Sequence, residues 1–177
     1  MYFIPGWLIA IVTFPGVIVH EIGHRIFADL GQVPVYKICY FRIGNPSGYV
    51  VHGPPKGLKS AFLISVGPLI INTLLCALLT FPAVFPLYIF QEKKINWIFI
   101  FLAWIGISIG MHAFPSGQDV ENLVNEVANA KKKGLFFFAS KIFEEFFQLA
   151  NWLRILRVDA IYAFGVALLL PWLFGYL

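Results

Sequence analysis

The segment VIVHEIGHRIF, residues 17–27, carries two histidines four positions apart, with a glutamate beside the first. On an α-helix, positions i and i+4 lie on one face about a turn apart, so His20 and His24 can bind one metal ion together. Glu21 lies on the neighbouring part of the helix surface, where it can take a proton from a water molecule. Only Gly23 in this segment weakens a helix. The HExxH pattern therefore predicts one zinc ion bound by the two imidazoles, with Glu21 as the catalytic general base.

A catalytic zinc ion usually has three protein ligands and one open position. Candidates for the third ligand lie in GMHAFPSGQDV, residues 110–120, which ends an apolar segment. Its proline and glycine residues stop a helix, so the residues beyond them can turn toward a neighbouring helix. Asp119 and His112 can both supply a ligand atom, and Glu121 lies next to this segment. The residue types alone leave the choice between them open.

The surrounding chain has the composition of a membrane protein. Of its residues, 59% are hydrophobic and only 12% are charged, whereas soluble domains are about half apolar and about a quarter charged. Four apolar segments reach the roughly 17–25 residues that a membrane-spanning helix needs. They are about 3–28, 60–81, 95–114 and 160–177. Ionisable residues in a span are costly and usually functional, although at its end they can simply reach lipid headgroups. The position of HEIGH in the first segment favours the functional interpretation.

Two connecting segments are predicted to lie at the membrane surface. Residues 33–53 alternate β-branched and aromatic residues around the turn signal GNPSG, which predicts a β-hairpin. Residues 136–157 place apolar side chains on one helical face and charged side chains, Glu144 among them, on the other. This pattern predicts a helix in the plane of the membrane interface, with a simple packing helix as the alternative.

The predicted fold class is an all-α polytopic membrane protein with this small hairpin and the interfacial amphipathic helix. Residues 1–120 would contain the first three spans, the hairpin and the HEIGH motif. Residues 121–177 would contain cytoplasmic and interfacial helices and the C-terminal span.

The basic residues are distributed unevenly between the two sides of the membrane. If the four segments cross alternately, every Lys and Arg except Lys93 and Lys94 lies on one side. Cytoplasmic loops carry the excess of basic residues, so both chain termini are predicted on the non-cytoplasmic side, of the plasma membrane if the protein is prokaryotic. His24 and Asp119 then reach the same membrane face. The absence of a basic stripe with interleaved aromatic residues outside the apolar segments argues against nucleic-acid binding.

Two further motifs accompany HEIGH along the chain. SVGPLIIN, residues 65–72, has a glycine-proline pair followed by an asparagine, and HAFPSGQDV, residues 112–120, has a proline before an aspartate. In this order the three motifs resemble the site-2 protease family of intramembrane zinc metalloproteases. That family has HExxH in a span, a glycine-proline motif followed by asparagine in the next core span, and an asparagine-x-x-proline segment leading to a ligand aspartate. The resemblance covers residues 1 to about 120, and it implies that they form a three-span metalloprotease core.

The resemblance implies a role for each matching residue. Glu21 would be the catalytic base, and the zinc ligands would be His20, His24 and Asp119. His112 stands where the family has asparagine, and Val120 follows Asp119 where the family usually has glycine, so His112 remains the alternative third ligand. As a second hypothesis, the His112 side chain donates a hydrogen bond to the carbonyl oxygen of the scissile peptide. Asn72 would bond to a bound substrate strand or simply join two helices.

The sequence thus predicts an intramembrane zinc metalloendopeptidase that cleaves membrane-protein substrates near the cytoplasmic side. The alternative is a catalytically inactive zinc-binding membrane scaffold or a transporter-like protein. The expected partners are the membrane-protein substrate and the lipid bilayer. Regulatory partner proteins would also fit, but nothing in the sequence identifies one.

Overall fold

The fold is mostly helical with one small sheet. The computed structural model describes residues 5–89, 96–130, 133–153 and 156–175, and for 87–89 the backbone alone. In chain order the elements are α1 Gly6–Val12, α2 Phe14–Leu30, β1 Val35–Cys39, β2 Tyr49–His52, α3 Leu58–Ile89, α4 Trp97–Met111, α5 Gly117–Ala128, α6 Leu135–Leu153 and α7 Val158–Gly175.

The predicted first span at 3–28 is not one continuous helix, which corrects the sequence-based expectation. Its described part forms α1 and α2, which meet at Thr13 with a bend of 91°. Pro15 lies in the first turn of α2, where its missing N–H is tolerated, whereas a helix continuing from α1 would lack the bond from residue 15 to the Ile11 carbonyl. A broken helix leaves backbone groups without partners, and in lipid these must be satisfied by protein. The Trp104 indole supplies one such partner, because its N–H donates to the Val12 carbonyl oxygen at 3.1 Å.

Within the described part of the chain, two helices are long and apolar enough to cross a membrane, namely the Leu58–Pro86 part of α3 and α7. The bent pair of α1 and α2 would add a third if it forms one span. α4 has 15 residues, fewer than the roughly 17–25 expected of a span. The predicted third span at 95–114 is therefore represented by a shorter apolar helix, and its residue 95 lies outside the described residues. α7 continues through Pro171, and residues 176–177 of the predicted fourth span are likewise not described.

The hairpin predicted at 33–53 is confirmed. β1 and β2 are antiparallel, with Val35 opposite His52 and Cys39 opposite Tyr49. The turn sequence GNPSG lies in the loop between the strands, and this loop passes over α2. The hairpin thereby places irregular backbone directly beside the helix that carries HEIGH.

α3 is the central helix, and it packs against α2, α4, α5 and α7. At Gly110 of α4 an added Cβ would lie 2.7 Å from the Cys76 sulfur of α3 and 2.9 Å from the Ala163 Cβ of α7. Glycine allows this close approach, which is typical of helices packed in a membrane. α7 is therefore packed tightly against the helices that carry the site.

α6 departs from its predicted amphipathic pattern. Phe147 of the predicted apolar face packs in a cluster with residues of α3 and α5. Glu144 of the predicted polar face is only 3% exposed, and its carboxylate accepts from the Lys141 ammonium at 2.8 Å. The packing of α6 against its neighbours thus buries Glu144, which the pattern placed in solvent. The ion pair with Lys141 offsets the cost of burying this carboxylate. Residue 154, also on that face, lies outside the described residues, and the predicted domain boundary at 120 falls within α5.

Candidate metal centre

The three residues expected to bind zinc lie together in the structure. The Nε2 atoms of His20 and His24 are 3.1 Å apart. The Asp119 Oδ2 atom lies 3.3 Å from Nε2 of His24 and 4.0 Å from Nε2 of His20. Both histidines are buried, at 8% and 5% exposure. Among the described residues this is the one group of His, Cys, Asp or Glu whose ligand atoms converge in this way.

The outer nitrogen of each imidazole faces a backbone carbonyl. Nδ1 of His20 lies 2.7 Å from the His112 carbonyl oxygen, and Nδ1 of His24 lies 3.1 Å from the Ile64 carbonyl oxygen. A carbonyl oxygen can only accept, so both Nδ1 atoms carry the hydrogen and donate. In the neutral imidazoles both Nε2 atoms therefore carry a lone pair, and they lie 4.0 and 3.3 Å from the Asp119 Oδ2 atom. Backbone carbonyls of this kind commonly fix the tautomer of metal-binding histidines.

The arrangement of these three atoms fits a zinc ion. Ligands at about 2.0–2.2 Å from a tetrahedral zinc lie roughly 3.3–3.6 Å from one another, and the three separations are 3.1, 3.3 and 4.0 Å. Three electron-pair donors this close repel one another unless a cation or a proton lies between them. A proton shared between His24 and Asp119 is the metal-free alternative, and it would leave His20 without a role in the group.

Asp119 is fixed by the start of α5. The Ser116 backbone N–H and hydroxyl donate to Asp119 Oδ2 at 2.8 and 2.6 Å, and the Asp119 N–H donates to the Ser116 hydroxyl at 3.3 Å. These bonds form a capping box. The Ser65 hydroxyl of α3 donates to the Asp119 carbonyl at 3.1 Å. The carboxylate therefore serves both as a helix cap and as a member of the cluster.

The surroundings of Asp119 favour its ionised form. Burial by itself would raise the pKa of this carboxyl. The His24 imidazole, followed by His20 and the Ser116 hydroxyl, lowers the pKa by more than burial raises it. The net result is a pKa well below the usual range for aspartate. These surroundings therefore favour the carboxylate, which is the form that binds a metal ion.

Glu21 faces a cleft beside the cluster. The cleft has a volume of about 410 Å³ and is lined by parts of α1, α2, the hairpin loop, the end of α4 and the start of α7. The hairpin loop comes closest at Gly48, where an added Cβ would lie 2.9 Å from the Glu21 Oε1 atom. His20 lines the same cleft. Glu21 is thus largely buried, at 7% exposure, and lines the same cleft as one member of the cluster.

His112 and Asn72 make other hydrogen bonds, and His112 also lines the cleft. The Thr13 hydroxyl donates to the Ile9 carbonyl at 2.7 Å, so its oxygen accepts from Nε2 of His112 at 2.8 Å. The His112 ring therefore bonds at the bend between α1 and α2, and its ring nitrogens do not join the cluster. Asn72 is fully buried, and its amide donates to the Ile109 and His112 carbonyls at 3.0 Å each. This geometry matches the helix-joining interpretation of Asn72.

Sequence reasoning missed the groups that orient the ligands. The Ser116-x-x-Asp119 spacing is a readable capping-box signal. Pro68 is a readable signal as well, because a proline in a helix leaves the carbonyl four residues earlier, that of Ile64, without its donor. The roles of the His112 carbonyl and of Thr13 have no local sequence signal.

Comparisons of the chain with family models, with curated proteins and with solved structures gave no match.

Proposed function

We propose that this protein is a membrane-embedded zinc metalloendopeptidase. The observation that carries the proposal is the convergence of the ligand atoms of His20, His24 and Asp119 beside Glu21 at an accessible cleft. An HExxH helix with a third protein ligand is the arrangement of catalytic zinc sites. The three motifs that resemble the site-2 protease family add support that rests on sequence alone.

Each residue of the site has a distinct task. His20, His24 and Asp119 would hold the zinc ion, which when bound polarises a peptide carbonyl and lowers the pKa of a water molecule. The Ile64 and His112 carbonyls keep the two imidazoles in the binding tautomer. Glu21 accepts the proton of the attacking water at its carboxylate and returns it to the leaving amine.

The cleft supports an extended peptide as substrate. Its walls combine apolar side chains of α1 and α4 with the backbone of the hairpin loop. A membrane-spanning helix protects its peptide bonds by its own hydrogen bonds, so a substrate segment must unwind before it can be cut. The free edge of the hairpin could pair with such an unwound strand. The proposed substrates are therefore segments of membrane proteins.

The charge distribution supports a multi-pass protein with its site near the cytoplasmic face. Arg25 and Lys37 follow the HEIGH segment, and Lys133 lies beyond Asp119. The positive-inside rule places such residues in the cytoplasm. Water for hydrolysis would then reach the cleft from that side, and both termini would lie outside.

The activity is tested directly with purified protein and single-span membrane-protein segments in lipid vesicles. New peptide termini, identified by mass spectrometry, should appear with the wild type and not with Glu21→Gln. A protein that binds zinc but produces no new termini from any segment would support the scaffold alternative.

Replacement of Gly48 by alanine is expected to slow cleavage while leaving zinc affinity unchanged. The added Cβ would meet the Glu21 side chain at 2.8–2.9 Å and Val17 at 3.0 Å, so the carboxylate must move. We expect a loss on the order of tenfold in kcat, a fraction of the roughly 10²–10⁴-fold that a general base supplies. Gly134→Ala is the matched control, because an added Cβ there meets nothing within 4 Å. Equal rates for both variants would contradict the position assigned to Glu21.

His112→Ala is expected to retain one zinc ion per chain. The zinc ligand His20 is oriented by the backbone carbonyl of residue 112, which alanine keeps, and the His112 ring bonds to Thr13 instead. Metal analysis of the purified variant beside the wild type makes the comparison. Loss of the metal would instead identify the His112 ring as a ligand.

A further inference from the structure

We propose that Pro68 is a positioning residue for the zinc site, because its missing N–H leaves the Ile64 carbonyl free to orient His24. The inference rests on the zinc site of the proposed function, but it does not depend on proteolysis. It assigns the proline of the SVGP segment a role in metal binding rather than only in helix shape.

The hydrogen-bond pattern of α3 is the first observation. In an α-helix the carbonyl of residue i accepts from the N–H of residue i+4, so Ile64 would normally bond to residue 68. α3 runs without interruption through Pro68, which has no N–H to give. Nδ1 of His24 lies 3.1 Å from the Ile64 oxygen, in a buried position. The imidazole thus takes the place of the missing backbone donor.

The packing of α2 on α3 is the second observation. A Cβ added at Gly23 would lie 3.0 Å from the Pro68 Cα and 3.3 Å from its Cγ. A Cβ added at Gly67 would overlap the ring of Phe27. Gly23 of α2 therefore lies directly against the Pro68 backbone of α3, and the Phe27 ring of α2 packs on Gly67. This close approach brings the Ile64 carbonyl within reach of His24.

From these two observations, Gly23, Gly67 and Pro68 act together to place the Ile64 carbonyl next to His24. Gly23 separates Glu21 and His24 within HEIGH, and Gly67 precedes Pro68 within SVGP. The glycines allow the contact and the proline supplies the free acceptor. An acceptor at Nδ1 keeps the Nε2 lone pair of His24 directed at the metal and raises its basicity.

The test compares two residues at position 68 that differ in the backbone N–H and, because one forms an ester, in the acceptor strength of the Gly67 carbonyl. Pro68→Ala introduces an N–H that competes with His24 for the Ile64 carbonyl. Lactic acid incorporated at position 68 has the alanine side chain but an ester oxygen in place of the N–H. Zinc affinity of the full chain in detergent is measured by competition with a chelator, and Pro82→Ala in the same helix is the control.

We expect Pro68→Ala to bind zinc about 10–100-fold more weakly than the wild type, as for loss of an outer partner of a metal-binding histidine. The lactic acid variant and Pro82→Ala should keep most of the affinity. The melting temperature of metal-free Pro68→Ala should not fall, because alanine forms helix better than proline. A purely structural role of the proline would not separate affinity from stability in this way.

Three results would overturn the inference. They are unchanged affinity in Pro68→Ala, an equal loss in the alanine and lactic acid variants, and an equal loss in Pro82→Ala. The tautomer of His24 in the metal-free protein, read from the ¹⁵N NMR shifts of its ring, gives a readout that is independent of zinc. If the wild type binds no zinc yet Pro68→Ala changes this tautomer, the proposed function fails while the positioning role of Pro68 stands.

Discussion

Glu21→Gln is expected to abolish peptide cleavage while the protein still binds one zinc ion. The amide is nearly the same size as the carboxylate, so it should fit under Gly48, but it cannot accept the proton of the attacking water. A positioned general base contributes about 10²–10⁴-fold to a rate, so kcat should fall by at least that range. The measurement pairs the rate of formation of new termini with the zinc content of the same preparation.

Glu145→Gln is the control for this substitution. Its side chain is exposed on α6 and pairs with Lys141 at 3.1 Å, and it does not line the cleft. It should cleave at the wild-type rate. Persistent cleavage by Glu21→Gln would remove Glu21 from the mechanism, and loss of zinc from that variant would show that the site had collapsed rather than lost its base.

Asp119→Asn is expected to lose zinc binding. The asparagine side chain has no negative charge to bring to the metal, although its carbonyl can still accept from the Ser116 N–H. The affinity should fall by more than the roughly 10–100-fold that follows loss of an outer partner. Competition with a chelator measures the affinity, and the metal-free melting temperature reports the effect on α5.

Ser116→Ala separates the two tasks of Asp119. It removes the hydroxyl of the capping box and should cost about 1 kcal/mol in the free energy of unfolding. Because the hydroxyl also donates to Asp119 at 2.6 Å, zinc affinity should fall, but less than in Asp119→Asn. If Ser116→Ala and Asp119→Asn lost zinc affinity and stability to the same extent, the loss would come from the helix cap. Asp119 would then cap α5 without binding the metal.

Local patterns were sufficient to predict part of this structure. The helix through HEIGH follows from the spacing of His20 and His24 and from the absence of breakers. The hairpin follows from alternation around GNPSG. Both are stabilised mainly by bonds between residues that are near one another in sequence, so the sequence pattern carries the necessary information.

The bend at Thr13 and the burial of Glu144 were not predicted. Pro15 signals a helix boundary, but the 91° bend depends on donors from Trp104 and His112, which lie far away in the sequence. Glu144 is buried because α6 packs against α3 and α5, and Lys141 accompanies it. The apolar pattern of residues 136–157 correctly predicted a helix. The contacts of α6 with other helices then decided which of its side chains are buried.

The candidate site likewise has features that the sequence predicts and features that depend on tertiary packing. The resemblance supplied Asp119 as the third ligand, and its approach to His24 depends on the packing of α5 against α3. The ring of His112 turns to Thr13 because a hydroxyl lies there, which no pattern near residue 112 reveals. The spacing of residues in the sequence therefore predicts which residues are candidate metal ligands. The direction in which each side chain points depends on the neighbouring helices.

The central claim is that one zinc ion at His20, His24 and Asp119 makes this chain a peptidase. Zinc titration of chelator-treated protein tests it most directly, with bound zinc and cleavage of single-span segments followed in the same vesicles. We predict that both rise together and saturate at one zinc per chain, and that His24→Ala shows neither. Cleavage before zinc is added, or zinc saturation without cleavage of any segment, would contradict the account.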